Sequence, residues 1–367
     1  MPHGPIEQRR KKKMFRGIGD AIQSEIEARK YEPGARLPSD GDLAERFGVS
    51  RLTIIRALRE LEGQGLVQRR AGSGTYIRDA SADPGAMVFG LLMPDVGDGE
   101  VFEPISRGIV RAGETLHHRI LWGNAPDSWR DKEHQAEELC RYFIERKVNG
   151  VFFAPVELTA NQREVNERIA ARLGEAAIPV VLVDRCYLPY PDRSPHDLVG
   201  IDNRRAGFRM ARLLMNAGCR RVGFAFRPGS AATVDARKAG YREALQRADM
   251  TFRELPTDGA DVDQVRAFIE AEQPDGFVCA NDLTAARLMH HLLQIGLRIP
   301  EQVRMVGIND VKYASFLPVP LTTLRQPCLQ LGAAAMGAML DRLRFPDSPT
   351  RDVLLECDLI ERQSCPG

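Results

Sequence analysis

The chain has no long apolar run. Its longest clean stretch, Val180-Val181-Leu182-Val183 after Ile178-Pro179, falls far short of the roughly 18–20 residues that a membrane span needs. No apolar signal core follows the early basic residues, so the protein is expected to stay in the cytoplasm with no membrane partner. Paired cysteines are also missing. Cys140, Cys186, Cys219, Cys279, Cys328, Cys357 and Cys365 stand singly, an odd total of 7 with no C-x-x-C, which argues against both a disulfide framework and a zinc site. Net charge is small, +1 from 51 Lys+Arg against 50 Asp+Glu, and 43% hydrophobic with 28% charged residues excludes wholesale disorder. Catalytic signatures are absent as well: no G-x-S-x-G elbow, no H-E-x-x-H and no Walker loop occurs. His117-His118 and His290-His291 are poor metal candidates, because helical neighbours point about 100° apart and no Cys or acidic partner has ligand spacing. Neither a metal, nor a cofactor, nor enzymatic activity is expected.

What is present is unevenly spread. The 367 residues suffice for about two to three domains at roughly 100–200 residues each. Residues 1–80 hold 16 Lys+Arg against 11 Asp+Glu, leaving 35 against 39 in the rest, so the amino-terminal end is the candidate nucleic-acid module. Its run Arg9-Arg10-Lys11-Lys12-Lys13 suits phosphates or a minor groove, and equally a solvated tail. The stretch DASADPGA at 79–86 is small, polar and broken by Pro84-Gly85, as in a linker. The expected division is a basic arm at 1–13, a DNA-binding module at 14–78, the linker at 79–86, and an effector-binding and dimerisation domain at 87–367.

In the first module, Phe15, Ile18, Ile22 and Ile26 have helical spacing over 14–30. Ser39 caps a second short helix through Phe47, Gly48-Val49 turn, and Ser50 caps a third helix to about Glu62. Two short helices joined by a tight glycine turn form a helix-turn-helix whose later helix enters the major groove. LeuValGlnArgArg, AlaGlySerGly and ThrTyrIle then read as a hairpin with a glycine-rich tip, a wing. The string GARLPSDGDLAERFGVSRLTIIRALRELEGQGLVQRRAGSGTYI resembles the winged helix-turn-helix of GntR-type regulators over its whole length. By that resemblance Ser39, Ser50, Arg51, Thr53 and Gly72 contact DNA, and Arg36 and Arg56 complete the DNA-facing set. One position departs from the family. Four residues after Arg51, where a second arginine is usual, stands Ile55, with Arg56 following. That shift turns the side chain by about 100°, toward a phosphate rather than a base. Leu52 and Ile55 are candidates for thymine methyls, one of the two being expected in the core.

Beyond residue 87, short apolar runs alternate with helical patterns, as in a mostly parallel α/β sheet. Strands are expected at 87–93, 119–122, 150–154, 179–184, 198–202, 221–226, 276–280 and 303–308. Several end in a polar residue at the carboxyl edge, where open α/β sheets bind ligands: Asp95, Asp184, Asp202, Asn281, Asn309 and Asp310. Each also suits an ordinary helix N-cap. Two similar βα halves are expected, one lobe at about 87–194 with 325–345 and another at 195–324, joined where LeuThrThrLeuArgGlnPro crosses back.

The stretches VGIDNRRAGFRMARLLMNAGCRRVGFAF, ARKAGYREAL, PDGFVCANDLTAARLMHHLLQIGLRIPEQVRMVGIND and PVPLTTLRQPCLQLGAAAMGAML resemble the effector domain of LacI/GalR-type regulators, itself similar to periplasmic sugar-binding proteins. Joined to a GntR-type head, they are similar to the arabinose-repressor subgroup. The resemblance implies an α/β protein: an N-terminal winged helix-turn-helix plus a two-lobed periplasmic-binding-protein-like domain with parallel sheets. It also implies a homodimer that binds a double-stranded DNA operator and answers to a small sugar. The family's sugar-contacting arginine falls on Arg237, and the Asn of its AND segment on Asn281. Asn309 stands where the family usually has the first Asp of a GYDD-like pair, an amide in place of a carboxylate. Phe102 is a stacking face or a core aromatic. Asp95, Asp184 and Arg185 complete the polar ring, unless Arg185 merely pairs with Asp184. Two rival readings are a GntR-headed pyridoxal-phosphate enzyme, which normally needs a longer catalytic module than about 280 residues, and a body that serves only to dimerise.

Overall fold

A computed structural model describes residues 21–22, 25, 30–31, 35–63, 67–70, 74–77, 86–93, 101–122, 132–257 and 261–366. The chain forms two compact units, residues 1–86 and 87–367.

In the first unit, helix α1 (Asp40–Phe47) begins where a capping box forces it to. Ser39 Oγ accepts from the Asp42 N–H at 3.2 Å, and the Asp42 carboxylate accepts from the Ser39 N–H at 3.0 Å. Gly48, at φ 64°, ends the helix in the left-handed region. Helix α2 (Arg51–Gly63) follows, then strands β1 (Val67–Arg70) and β2 (Gly74–Ile77), paired antiparallel. Ile22, Leu37, Leu43, Ile54, Ala57, Leu58, Leu61, Val67 and Ile77 bury together as the core of this unit. The inward face of α2 is therefore Ile54, Ala57, Leu58 and Leu61, at i, i+3, i+4 and i+7. This corrects the expectation for Leu52 and Ile55: neither is core, Leu52 being 66% exposed and Ile55 half-buried. Most of the expected helix at 14–30 and the wing tip with Gly72 lie outside the described residues.

The second unit holds two sheets, each six-stranded among the described residues. The first sheet has the order β13-β7-β6-β5-β3-β4, with β3 (Val88–Leu92), β4 (Arg119–Trp122), β5 (Gly150–Phe153), β6 (Val180–Val183), β7 (Asp197–Ile201) and β13 (Asp352–Leu355), all parallel. It carries helices α3 (Phe102–Thr115), α4 (Lys132–Glu145), α5 (Gln162–Glu175) and α10 (Cys328–Arg344). The second sheet has the order β14-β12-β11-β10-β8-β9. Its strands are β8 (Val222–Phe226), β9 (Arg253–Pro256), β10 (Gly276–Cys279), β11 (Arg304–Asn309), β12 (Thr322–Arg325) and β14 (Asp358–Ile360), only β14 running antiparallel. Its helices are α6 (Asn203–Asn216), α7 (Ala232–Arg247), α8 (Val262–Glu272) and α9 (Asp282–Gln294). Strands such as Val180–Val183 and Gly276–Cys279 are buried throughout, as parallel strands covered on both faces must be.

The lobe boundary differs from the sequence expectation. β7 belongs to the first sheet, not to the second lobe from 195. Its leading Asp197 is buried and held bidentately by Arg342 of α10, at 3.0 and 3.1 Å, with the Arg351 N–H at 2.9 Å. The chain passes between lobes at Asp202, at Gln326-Pro327 and again at Glu356-Cys357. The third passage had no sequence signal. After it, Ser364 locks the tail into the second lobe, donating to Met305 O at 2.7 Å and accepting the Thr322 N–H at 2.8 Å.

Candidate effector cleft and DNA-facing surface

The carboxyl ends of both sheets open onto a cleft of about 550 Å³ between the lobes, a size suited to a small organic ligand. From the first lobe it is lined by Phe102, Lys132, Glu157, Asp184 and Arg185, and from the second by Arg227, Arg237, Asn281, Arg287, Asn309 and Tyr313, with Gln326 at the passage between lobes. Thus Phe102, Asp184, Arg185, Arg237, Asn281 and Asn309, singled out in the sequence, share one cavity. Asp95 lies outside the described residues.

Arg237, on α7, is 4% exposed. Its Nε donates to Asn203 Oδ1 at 2.8 Å and one terminal nitrogen to Ala280 O at 2.6 Å, so both partners are neutral. Burial pulls its pKa downward, opposed by the more distant charges of Asp184 and Glu157. Arg185 is the contrasting case. It is also buried, but it pairs with Asp184 at 3.2 Å and with Glu157, and its guanidinium lies 4.9 Å over the Phe102 ring. Phe102 joins the main core cluster while lining the cleft, so one face of its ring already carries a cation.

Glu157 had no motif to mark it. Its carboxylate accepts the Ala231 N–H at 3.0 Å, just ahead of α7, so a first-lobe side chain is fastened to a second-lobe helix N-terminus. Burial alone would raise its pKa, but Arg185, the Ala231 N–H and Arg237 together hold it below the ordinary value. Asn281 is both N-cap and cleft residue: its Oδ1 accepts from the Thr284 N–H at 2.9 Å and the Thr284 hydroxyl at 3.0 Å. Asn309 Oδ1 accepts from Gln326 Nε2 at 2.7 Å. Gln326 Oε1 is buried with no donor among the described residues, so a ligand hydroxyl reaching it gains a full hydrogen bond. Asp184, Asn309 and Asp310 take φ of 71°, 138° and 56°. Backbone held there costs of order 1–3 kcal/mol per residue and gathers at ligand sites. Asp310 is drawn away from the cleft by Arg325 and Arg362, each at 2.7 Å.

Behind Asn281, Asp282 is fully buried and anchors the cleft loop, accepting from the Thr323 hydroxyl at 2.7 Å and the Val311 N–H at 3.0 Å. Burial pushes its pKa up from 3.8 to about 6, against the pull of Thr323 and Val311. An acid whose folded pKa is raised stays protonated in the fold after it ionises in the unfolded chain, so its contribution declines as pH rises from about 4 through about 6. Wild-type stability minus that of Asp282→Asn is expected to fall by about 2–3 kcal/mol between pH 4 and pH 7, at about 1.4 kcal/mol per unit. Urea melts across that range test it, and a flat difference curve rejects it.

On the first unit, Arg36, Ser39, Arg51 and Arg56 are exposed, and Thr53 is half-buried. Ser50 and Thr53 hydroxyls lie 2.9 Å apart at the start of α2, where Ser50 accepts the Thr53 N–H at 3.3 Å. The Arg51 guanidinium folds over Gly41, and that of Arg36 over Gly74, which pairs with Arg70 at the turn end of the β1–β2 hairpin. With Leu52 beside Arg51, the start of α2 presents cations, hydroxyls and one exposed apolar side chain, the functional groups that read base edges and phosphates.

Residues 15–77 match the profile of the gntR family of bacterial regulatory proteins, and residues 211–365 match a periplasmic binding protein-like domain. An arabinose metabolism transcriptional repressor of Geobacillus stearothermophilus is 27% identical over 362 residues, 94% of this chain and 95% of that protein. Among solved structures, a LacI family regulator from Enterococcus faecium with bound ribose aligns with a TM-score of 0.60 at 22% identity, over 76% of this chain and 98% of that one. A CelR regulator in complex with cellobiose aligns at 0.63 and 21%, over 89% and 100%. These structural likenesses establish the two-lobed fold. No helix among the described residues is long and apolar enough to cross a membrane.

Proposed function

From a chain whose head belongs to the gntR family of bacterial regulatory proteins and whose body is a periplasmic-binding-protein-like domain, we propose a DNA-binding transcriptional repressor whose operator affinity is set by a small sugar or related ligand in the interlobe cleft. The observation that carries this reading is Arg237, a buried guanidinium whose hydrogen-bond acceptors among the described residues are both neutral and which opens onto a cavity lined by both lobes. The 27% identical arabinose repressor, matched along nearly its whole length, supports the coupling of such a head to such a body. Arg237, Asn281, Asn309, Asp184, Arg185 and Phe102 form the effector set. Arg36, Ser39, Ser50, Arg51, Thr53 and Arg56 form the DNA-facing set, with Gly72 at the wing tip as an expectation from the sequence.

The working form is a homodimer, because one winged helix reads only a few base pairs and a two-fold protein meets a pseudo-palindromic site. The ligand acts by favouring a closed cleft, and linkage requires that closed and open forms bind operator differently. Release of operator on ligand binding is the expected sign. A titration of labelled operator with purified protein, with and without each sugar of a panel, tests the reading; operator affinity unmoved by every member contradicts it.

Within the head, Arg51→Ala is expected to cost about 1–3 kcal/mol of operator binding and to relax preference at one base pair. Selection of binding sites from a randomised pool checks this. An unchanged site logo assigns Arg51 to the backbone instead.

A further inference from the structure

We propose that Leu52, with Ile55 beside it, selects thymine in the operator by packing on its C5-methyl group in the major groove, next to the base pair that Arg51 contacts. The proposal rests on the reading of the first unit as an operator-binding head and adds the base that this face of it selects.

Helix α2 carries more apolar surface than its core uses. Ile54, Ala57, Leu58 and Leu61 are buried together in the core of the unit, and Leu52 and Ile55 take no part in it. At about 100° per residue, Leu52 stands about 170° from the mean direction of the four inward side chains, and Ile55 about 110°. Leu52 is accordingly 66% exposed and Ile55 half-buried. Spaced i and i+3, the two are neighbours on one helix face. Arg51, at i−4 from Ile55, and Arg56, at i+4 from Leu52, flank them and are both exposed. Aliphatic and guanidinium side chains therefore interleave in one patch over the first two turns of the helix.

The stability of the unit does not account for this patch. A helix N-terminus favours acids and disfavours cations, yet α2 opens on Arg51 and has no acidic residue in its first turn. A leucine that is two-thirds exposed stabilises only when something covers it. Charge complementarity makes duplex DNA the occupant, since Arg36, Arg51 and Arg56 are exposed on the same unit and suit phosphates and guanine edges. The Ser50 and Thr53 hydroxyls stand at the same helix start. Within the major groove only thymine presents an apolar group, its methyl, so an aliphatic pair set among these donors distinguishes thymine from the other bases. The rise from Leu52 to Ile55 is about 4.5 Å, close to the roughly 3.4 Å between successive bases of one strand, so the two side chains reach neighbouring bases. An arginine at position 55 would have read guanine; isoleucine replaces that contact with a methyl contact.

The test begins with sites selected from a randomised duplex pool by the full chain. In the best-selected duplex each thymine is replaced in turn by deoxyuridine, which removes only the C5-methyl group. Wild type is expected to lose about fourfold in affinity at one or two thymines adjoining the Arg51-dependent position, equivalent to about 0.8 kcal/mol for each methyl. Leu52→Ala is expected to melt as wild type does, to bind the thymine duplex several-fold more weakly, and to be indifferent to deoxyuridine at one of those positions. Ile55→Ala should be indifferent at the other. The scan on wild type stands whatever the variants do: if no thymine is sensitive to loss of its methyl, the proposal is overturned and the operator-binding head remains. Sensitivity that persists unchanged at the same thymines in both variants places the methyl contact on other residues and also overturns it. A change of self-association in Leu52→Ala with an unaltered scan makes the patch a contact between copies of the chain, again against the proposal. If the pool yields no enriched duplex, thymine selection and the operator-binding reading fall together.

Discussion

Gly207→Ala is expected to cost about 3 kcal/mol or more and to lower the melting temperature by roughly 5–10 °C, although it adds a single methyl group. A Cβ at Gly207 stands 1.9 Å from the Arg237 carbonyl oxygen, and one at Gly240 stands 1.8 Å from that of Arg204. Helices α6 and α7 therefore cross backbone against backbone, and neither contact is to a flexible side chain that can move aside. Relief requires α7 to shift outward as a body. Such a shift also carries the Arg237 guanidinium off Asn203 and Ala280, whose hydrogen bonds at 2.8 and 2.6 Å tolerate little displacement. The variant should lose ligand response in addition to stability. Gly174→Ala on α5 is the control, since a Cβ there meets nothing within 4 Å, and alanine's helix propensity should leave stability unchanged or raised by about 0.5–1 kcal/mol. Calorimetric melts of the two variants beside wild type decide the matter. Equal melting temperatures for Gly207→Ala and Gly174→Ala would mean that the crossing of α6 and α7 has room for a methyl group at Gly207. The first lobe repeats the device: a Cβ at Gly108 stands 2.4 Å from Leu329 O, and one at Gly332 stands 2.3 Å from Ile105 O, so α3 and α10 meet in the same manner.

Those glycines show where sequence reading stops. Gly207, Gly240, Gly108 and Gly332 each sit within a helical pattern, and an isolated helical glycine hints at close packing. Nothing local says which helix it faces, because the partner lies far along the chain. Features decided within a few residues were legible. The Ser39 cap, the Gly48 stop and the Ser50 start are local hydrogen-bond and dihedral preferences, and they delimit α1 and α2 without reference to the rest of the fold. The buried strands were legible for a related reason, since an apolar run such as Val180–Val183 needs burial whatever its neighbours are. Lobe membership was not. β7 looks like any other short parallel strand, and what assigns it to the first sheet is its ladder with β6 and with the distant β13, reinforced by the pairing of Asp197 with Arg342, 145 positions away. Glu157 was invisible for the same reason: a glutamate following a strand acquires meaning only when Arg185 and the start of α7 are brought to it. On α2, one of Leu52 and Ile55 was expected in the core as the alternative to facing DNA, whereas the observed register turns Ile54 inward, where Leu43, Leu61 and Val67 share its side of the unit.

Arg237→Met is expected to change the stability of the unliganded protein by less than about 1.5 kcal/mol while weakening the ligand by about a hundredfold, enough to abolish the response at ordinary ligand concentrations. The two halves of this expectation follow from opposite sides of one balance. Methionine removes a buried charge with no carboxylate against it, and replacing buried charges by apolar side chains of similar volume is often neutral or stabilising. Against that gain stand two acceptors, Asn203 Oδ1 and Ala280 O, left short of one donor each at about 1–3 kcal/mol apiece. These terms are of similar size and opposite sign, so the fold should scarcely notice the change. For the bound state nothing offsets the loss: removing one partner of a buried, charge-assisted contact costs about 2–5 kcal/mol of binding, and methionine offers no donor. Operator affinity without ligand should be retained, because Arg237 belongs to the second unit and its hydrogen-bond acceptors, Asn203 and Ala280, do too. Thermal melts, operator titration and ligand titration on the same preparation separate the cases. If melting drops by more than about 10 °C with response and operator binding lost together, Arg237 is a structural strut between α6, α7 and β10. If stability and operator binding hold while the ligand no longer acts, the buried guanidinium is kept in this fold for the molecule that enters the cleft.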